Sequence, residues 1–398
     1  MAILFLIVFV DLVGFGLIIP LLPFYGEHFQ ASPLQVGLLM AVFSLTQFVA
    51  APLWGRLSDR VGRKPVLAIS LVGATLSYVW LAFASDLWML FAARAVGGAM
   101  AGNIAAAFAY VADVTTPANR AKGMGIVGAA FGMGFIFGPA IGGILAGHDP
   151  MTADYTSPAL VAAGLSALAA VLTLLLLPES LPTRIRREQA AMTRASRWRM
   201  LREALQRPGV GRLILIAFLS TFVFAGMETT FAMWSRRQFG WGPEQNGYLF
   251  AAVGLISAFV QGGLIGRLAR RFGEPQLLVA GSALLAAGML GIPLATSPAV
   301  LAPAMAVVAL GFSLMTPSLN SLLSLRVEAG VQGGAMGVSR SASTLARVLG
   351  PGWAGLLFEF LGRDWPFYAG AAIMVGVVVL TVGTRVMSPG ASRAARPD

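Results

Sequence analysis

Residues 55–62 read GRLSDRVG, and residues 266–273 read GRLARRFG. A second match follows each copy, with Gly138-Pro139 in the first part of the chain and Gly350-Pro351 in the second. The two matches are separated by 266 − 55 = 211 and 350 − 138 = 212 residues. Because two independent matches recur at nearly one offset, the chain is predicted to consist of two related halves.

The composition indicates whether water or lipid surrounds these two halves. Of the 398 residues, 57% are hydrophobic and only 11% are charged, whereas soluble domains carry roughly 25% charged residues. The apolar runs reach the length of about 20 residues that a helix needs to cross a bilayer. They lack the short polar and apolar alternation of membrane β-barrels. We therefore predict an all-α membrane protein.

Twelve transmembrane helices are expected, in two pseudo-symmetric bundles of six. The first bundle is predicted over residues 1–178 and the second, with a short cytoplasmic tail, over 209–398. A cytoplasmic linker is predicted between them at 179–208. The predicted spans are 2–25, 34–57, 65–84, 86–112, 119–147, 155–177, 209–235, 244–265, 275–294, 299–325, 331–359 and 365–386.

The net charge is +11, and the basic residues are concentrated in alternate loops between the predicted spans. With the N-terminus placed inside, only Arg236, Arg237 and Arg363 lie in outer loops. The inner loops and tail hold Arg56, Arg60, Arg63, Lys64, Arg120, Lys122, the stretch from Arg184 to Arg212, Arg267, Arg270, Arg271, Arg326, Arg385, Arg393 and Arg396. Cytoplasmic loops carry such an excess. We expect a bacterial inner-membrane protein with both termini cytoplasmic and no nucleic-acid partner.

The predicted linker allows two interpretations. Its arginines could bind a partner protein or anionic lipid headgroups. It could also be a plain connection that lies on the cytoplasmic leaflet, which we favour.

Several kinds of chemistry are excluded by residues that are missing. The chain has no cysteine, so disulfides and thiolates are ruled out, and its two histidines, His28 and His148, make a metal site improbable. The glycine strings from Gly132 to Gly138 lie within an apolar helix rather than after a strand, so they do not predict a nucleotide loop. We expect neither an enzyme nor a cofactor, and an ion gradient as the energy source.

The whole chain resembles the major facilitator superfamily, and in particular its tetracycline-efflux-like drug:proton antiporters. Residues 55–65 resemble the signature loop, 94–98 (RAVGG) the span-four arginine motif, and 128–143 the antiporter motif. The opening residues 11–20 (DLVGFGLIIP) are similar to the first span of tetracycline exporters, and 178–180 (PES) also fit. The resemblance implies export of small lipophilic or cationic compounds by alternating access, driven by protons.

The signature loop combines two glycines with one acid among basic residues. Gly55 and Gly62 are expected to permit a tight turn. Asp59 could join a salt-bridge cluster, or face the positive N-terminal end of a helix from the other half. A gate that breaks on opening is favoured over a merely topology-determining basic loop, although Arg270 replaces the acid in the second copy. The predicted gate residues are Gly55, Asp59, Arg60, Gly62, Arg63 and Asp113.

The glycines at 128, 132, 134, 138 and 142 largely follow a four-residue spacing, so most should share one face of span five. The antiporter motif is assigned to Gly134, Gly138, Pro139 and Gly142, and Pro139 is expected to bend the helix. Ordinary helix packing would give the same pattern, so only the resemblance links these glycines to export.

Charges within the predicted spans are the sharpest functional signal, because a charged side chain in the membrane is costly. Five residues qualify as proton-coupling candidates: Asp11, Arg94, Glu228, Arg340 and Arg347. Asp11 should lie near the midplane and is the first choice for the proton carrier, with Arg94 as its partner and Glu228 as the runner-up. A structural ion pair is the alternative interpretation for each.

Substrate contacts are expected from aromatic, methionine and amide side chains on helices that should line a cavity, since adaptable apolar walls suit lipophilic ligands. Lipid-facing packing is an equally good interpretation of each aromatic. The resemblance to tetracycline exporters implies acidic or histidine residues in spans eight and nine. The interiors of these spans have none, which argues against a tetracycline–metal substrate. The candidates are Phe15, Phe43, Gln47, Asn103, Phe135, Phe224, Met227, Phe231 and Asn320.

Two other functions stay open at this point. The same fold could serve an importer or a lipid or metabolite transporter, or the chain could be a receptor or scaffold that transports nothing. Intramembrane charges favour transport. The expected partners are a small-molecule substrate, protons and the lipid bilayer, and the protein is expected to be a monomer.

The topology can be tested by cysteine labelling, because the chain has no cysteine of its own. A membrane-impermeant maleimide added to intact cells should leave Ala190→Cys unlabelled and should label Thr152→Cys, which lies in a predicted outer loop. Labelling of Ala190→Cys from outside would contradict the predicted topology.

Overall fold

The computed structural model describes residues 1–116, 119–181, 209–327 and 332–385, and every regular element within them is helical. The all-α prediction is thereby confirmed. The helices of the first half are α1 (Ala2–Ile18), α2 (Leu22–His28), α3 (Pro33–Val61), α4 (Arg63–Ala82), α5 (Leu87–Met100), α6 (Asn103–Val114), α7 (Arg120–Ala146) and α8 (Thr156–Leu176).

The second half has the same long-helix character. It consists of α9 (Val210–Phe239), α10 (Pro243–Phe259), a π-helical turn (Val260–Leu264), α11 (Ile265–Phe272), α12 (Glu274–Gly291), α13 (Pro298–Leu325), α14 (Gln332–Phe360) and α15 (Trp365–Arg385). Most of the predicted linker, from residue 182 to 208, and the tail from 386 onward lie outside the described residues.

Eleven stretches in the described part of the chain are long and apolar enough to cross a membrane. Helix α14 is the twelfth long helix, with 29 residues, and it carries Arg340 and Arg347. The observed ends lie within a few residues of most predicted spans.

Two predicted spans are interrupted. The first breaks between α1 and α2, where Pro20 lies, and Pro23 follows in the first turn of α2. The fourth breaks between α5 and α6 at Ala101–Gly102. There the ring of Trp54 lies 2.6 Å from the position that a Cβ on Gly102 would take. Its Nε1 donates a hydrogen bond of 2.6 Å to the carbonyl of Ala99, so a polar backbone group at the break remains satisfied.

Contacts between Cα atoms group the chain into two compact units. The first contains the first-half helices together with residues 225–258 and 347–366. The second contains, among the described residues, 209–224, 259–346 and 367–385. In the first unit, α1 packs mainly on α7 and α8, and α4 packs on α8 and α5. The boundaries at 178 and 209 stay a prediction.

The repeat is visible in backbone conformation. Gly62 joins α3 to α4 at φ 111°, and Gly273 joins α11 to α12 at φ 78°. Both values are in the region that glycine tolerates best. The expectation that Gly55 forms part of the turn is wrong, because Gly55 lies inside α3 and only Gly62 ends the helix.

Three of the motif glycines of α7 contact α1. A Cβ added at Gly134 would lie 2.7 Å from Leu12, and one at Gly138 would lie 2.6 Å from the backbone of Gly16. Gly142 approaches the carbonyl of Leu17 equally closely. Gly128 and Gly132, in contrast, would meet no atom within 4 Å. The shared glycine face is therefore restricted to the last three of the five positions.

This difference between neighbouring glycines gives a matched test. Gly138→Ala should destabilise the protein by roughly 1–3 kcal/mol, the usual cost of overpacking, because neither backbone can yield. Gly132→Ala should be neutral or slightly stabilising, since alanine favours a helix. Thermal unfolding in detergent measures both, and equal destabilisation by the two variants would contradict the packing.

Candidate functional site

Asp11 is buried in the middle of α1, with 7% of its surface exposed. The hydroxyl of Ser166 donates to its Oδ1 at 2.7 Å, and the amide of Asn103 donates to its Oδ2. Gly14, one turn from Asp11 in α1, lies against the backbone of Ala162, which is one turn from Ser166 in α8. A Cβ added at Gly14 would lie 3.2 Å from the carbonyl oxygen of Ala162. This close approach of α1 and α8 brings the hydroxyl to the carboxylate, so neutral donors hold Asp11.

The expected ion pair between Asp11 and Arg94 is not formed. Arg94 is 4% exposed, and its guanidinium lies over the ring of Phe43 at 4.2 Å from the centroid. Its buried Nε has no hydrogen-bond partner among the described residues. A cation–π contact of this kind stabilises a desolvated guanidinium, so an aromatic face takes the place of the predicted carboxylate.

Tyr78 of α4 is buried, with 7% of its surface exposed, and lies near both Asp11 and Arg94. Sequence reasoning missed it and Ser166. The only available signal was a polar side chain within an otherwise apolar span.

A small cavity of about 10 Å³ adjoins Asp11. A space of roughly this size holds about one water molecule. Besides Asp11 and Leu12, its walls are formed by Ile7, Val8, Leu67, Leu71, Asn103 and Ile104. A water there would reach the carboxylate from the side of α4 and α6.

Glu228 and Arg347 form a second charged pair within the spans. Arg347 Nη1 lies 3.7 Å from Glu228 Oε2, too far for a good hydrogen bond. Their side chains are 44% and 15% exposed, respectively. Arg340 is exposed on the same helix, α14, seven positions earlier.

The signature loop forms a compact cluster around Arg63, which is 6% exposed. Its Nη1 lies 2.8 Å from Asp59 and 3.0 Å from the hydroxyl of Ser58, and its Nε lies 3.0 Å from Asp113. Glu179, which sequence reasoning did not assign to the loop, accepts hydrogen bonds from the backbone N–H groups of Arg63 (2.8 Å) and Lys64 (3.2 Å). The acid of the loop is thus paired within the first half, and Arg60 is exposed.

Five of the nine predicted substrate contacts form two sets. The ring centroid of Phe15 lies 5.4 Å from that of Phe43 and 6.4 Å from that of Phe135. All three rings are half-buried, and Phe43 contacts Arg94. Met227 and Phe231 are 3% and 0% exposed, so they pack in the core.

The remaining candidates have other surroundings. Phe224 stacks on Phe312 at 4.0 Å. Asn103 is engaged by Asp11. Gln47 is half-buried and Asn320 is exposed.

The predicted outer ends of the helices are joined by polar contacts within the first compact unit. Arg236 lies 2.9 Å from Glu27. Glu359 accepts from the hydroxyl of Ser32 at 2.7 Å and from the N–H of Leu34 at 2.9 Å, at the start of α3. These contacts tie α9 and α14 to the first-half helices at this end.

Comparisons with known proteins agree with this geometry. The family model described as Major Facilitator Superfamily matches residues 4–351 and 264–397. The chain is 31% identical to the tetracycline resistance protein, class E, of Escherichia coli, over 94% of this chain and 92% of that protein. It is also 31% identical to multidrug resistance protein 2 of Bacillus subtilis, over 93% and 91% of the two chains.

A solved structure extends the likeness to three dimensions. The crystal structure of the human organic anion transporter MFSD10 (TETRAN) superposes with a TM-score of 0.73 and 27% identity, covering 96% of this chain and 98% of that one. The resemblance proposed from the sequence motifs is therefore confirmed.

The gating role of the Arg63 cluster can be tested by neutralising Asp59. Asp59→Asn should lower transport by roughly fivefold or more, a usual size for the coupling between two states, while the bond from Arg63 to Asp113 keeps the loop folded. The measurement is substrate transport normalised to inserted protein. Arg56→Ala, an exposed arginine of the same segment, is the control, and unchanged transport by Asp59→Asn would leave the cluster without a gating role.

Proposed function

Because the chain belongs to the major facilitator superfamily, we propose that it exports small lipophilic or cationic drug-like compounds by alternating access, driven by protons. The chain is a multi-pass membrane transporter and not an enzyme. Similarity to tetracycline and multidrug resistance proteins supports the direction of transport.

The observation that carries the proposal is the environment of Asp11. A carboxyl group held by a hydroxyl and an amide can gain or lose a proton without breaking an ion pair. Desolvation makes its charged form costly, so protonation removes a charge from the protein interior. A proton taken up from outside and released inside would then accompany each rocking cycle.

Arg94 and Tyr78 support this role from the substrate side. Arg94 lies on Phe43, which belongs to the aromatic group of Phe15 and Phe135. Tyr78 lies near both Arg94 and Asp11. A charged substrate group near Phe43 would change the electrostatic potential around Arg94 and Asp11.

The Arg63 cluster is proposed as the inner gate. Its ion pairs join α3, α4 and α6 at the predicted cytoplasmic end. The outer contacts of Glu27 and Glu359 would have to open when the protein releases its substrate outside.

The arrangement in the cell is part of the same proposal. The protein is placed in the bacterial inner membrane as a monomer with both termini in the cytoplasm. Its bundles span residues 1–178 and 209–398, with a cytoplasmic linker at 179–208.

A second candidate function is transport of a different substrate class by the same fold. MFSD10 is described as an organic anion transporter, so a metabolite or lipid anion is an alternative substrate. The interiors of α10 and α12 contain no acid or histidine, their acids Glu244 and Glu274 being in the first turns, which counts against a tetracycline–metal substrate.

The proton role of Asp11 is tested in proteoliposomes with an imposed pH gradient. Asp11→Asn should abolish uphill, gradient-driven transport but retain downhill exchange, because a permanently neutral site still permits rocking. Arg94→Ala should change the pH dependence, since it removes a nearby charge. Full uphill transport by Asp11→Asn would reject the assignment, and Glu228→Gln is the variant to compare.

A further inference from the structure

Helix α14 presents three different faces. Large apolar side chains form one exposed stripe at three- and four-residue spacing, at Leu345, Leu349, Leu356 and Phe360. A second stripe is buried and contains Ala346, Ala354 and Phe358. Polar side chains occupy the remaining part of the helix surface, from Ser341 beside the apolar stripe, through Thr344, to Arg347, which by helical periodicity lies nearly opposite that stripe. If lipid contacts the apolar stripe, Arg347 does not face lipid.

The depth of Arg347 makes its exposure informative. It lies 360 − 347 = 13 residues from one end of α14 and 347 − 332 = 15 from the other. At 1.5 Å per residue it is about 20 Å from either end, near the middle of the membrane. Charged side chains at such depth face the bundle interior or a water-filled path. Because Arg347 is 44% exposed and lies opposite the apolar stripe, we expect its guanidinium to contact water rather than lipid.

The neighbouring acid is the less accessible partner of the pair. Glu228 is 15% exposed and lies 3.7 Å from Arg347. Helices α9 and α14 are in close contact at this level, because a Cβ on Gly226 would lie 3.0 Å from Ala354 and 3.2 Å from the carbonyl of Gly350. The group that an incoming molecule meets first is therefore the guanidinium, whose planar N–H groups suit an oxyanion.

We propose that Arg347 binds an anionic group of the substrate, a carboxylate or similar oxyanion on an otherwise apolar molecule. Glu228 is the resident counter-ion that holds the guanidinium while the site is empty. The inference rests on the proposed transport function for its biological meaning, and within that function it replaces cationic compounds with amphipathic anions and zwitterions as the substrate class. Its binding step needs no proton gradient.

Substitutions of Arg347 and of Glu228 are expected to have opposite effects on the affinity for an anion. Removing Arg347 takes away the positive charge that attracts the anion. Neutralising Glu228 removes both a competitor for the guanidinium and a repulsive charge. Arg347→Ala should thus weaken anion binding, whereas Glu228→Gln should strengthen it.

The experiment measures binding to the full chain in nanodiscs of zwitterionic lipid by titration calorimetry, with empty nanodiscs as the blank. Three probes of matched shape are used: 2-naphthoate, neutral 2-naphthamide and 2-naphthylmethylammonium. The wild type should bind 2-naphthoate at least roughly tenfold more tightly than the amide, as expected for hydrogen bonds to a charged group.

The variants then locate the site. Arg347→Ala should bind the naphthoate no better than the amide, and Glu228→Gln should bind it more tightly than the wild type does. Arg267→Ala, which removes an exposed arginine of α11, should leave the preference unchanged. If Arg347→Ala does not fold, the order of the three probes on the wild type and the sign of the Glu228→Gln effect decide the matter.

Three results would overturn the proposal: equal affinities or no detectable binding of the naphthoate, a preference retained by folded Arg347→Ala, or weaker naphthoate binding by Glu228→Gln. Preference for the ammonium probe that is lost in Glu228→Gln would identify a cation site instead. Anion binding by a protein that shows no proton-driven export would support this site and refute the exporter proposal.

Discussion

Water hydrates charged side chains, and a hydrocarbon layer offers nothing comparable, so each ionisable group placed there needs a partner from the protein. This chain meets the requirement in three ways. Asp11 is held by the neutral donors Ser166 and Asn103. Arg94 lies on the face of Phe43, and Glu228 and Arg347 lie beside each other.

The different partners suggest different roles for Asp11 and Arg347. A carboxyl held by neutral donors is free to titrate, which suits the proton, whereas an arginine that water reaches suits an anionic ligand. The glycine contacts of α1 make the first arrangement possible, because Gly14 and Gly16 admit the backbones of α8 and α7 on two sides of the helix. Close packing and proton chemistry are therefore parts of one local structure.

Much of the fold could be predicted because it depends on local composition. Apolar runs of spanning length indicated the helices, and the recurrence of Gly62 as Gly273 indicated the repeat, which both backbones show at positive φ. Asp11 was recognisable as the one acid in its span. The sequence allowed an ion pair with Arg94 that these two residues do not form, since sequence gives the depth of a side chain but not which face of its helix meets a neighbour. Ser166 lies 155 positions from Asp11, and a polar side chain in an apolar span indicates neither its role nor its partner. The break at Ala101–Gly102 depends on the ring of Trp54, a tertiary contact that helix periodicity does not report.

The central claim is that Asp11 is where the transported proton binds. Infrared difference spectroscopy of the protein in lipid, recorded as the pH is lowered, reports directly on a carboxyl group that becomes protonated. The account predicts that the carbonyl stretch of a protonated carboxyl in an apolar environment grows in the wild type and in Glu228→Gln. The same band should be absent in Asp11→Asn. A band that persists in Asp11→Asn and disappears in Glu228→Gln would place the proton on the second half and contradict the account.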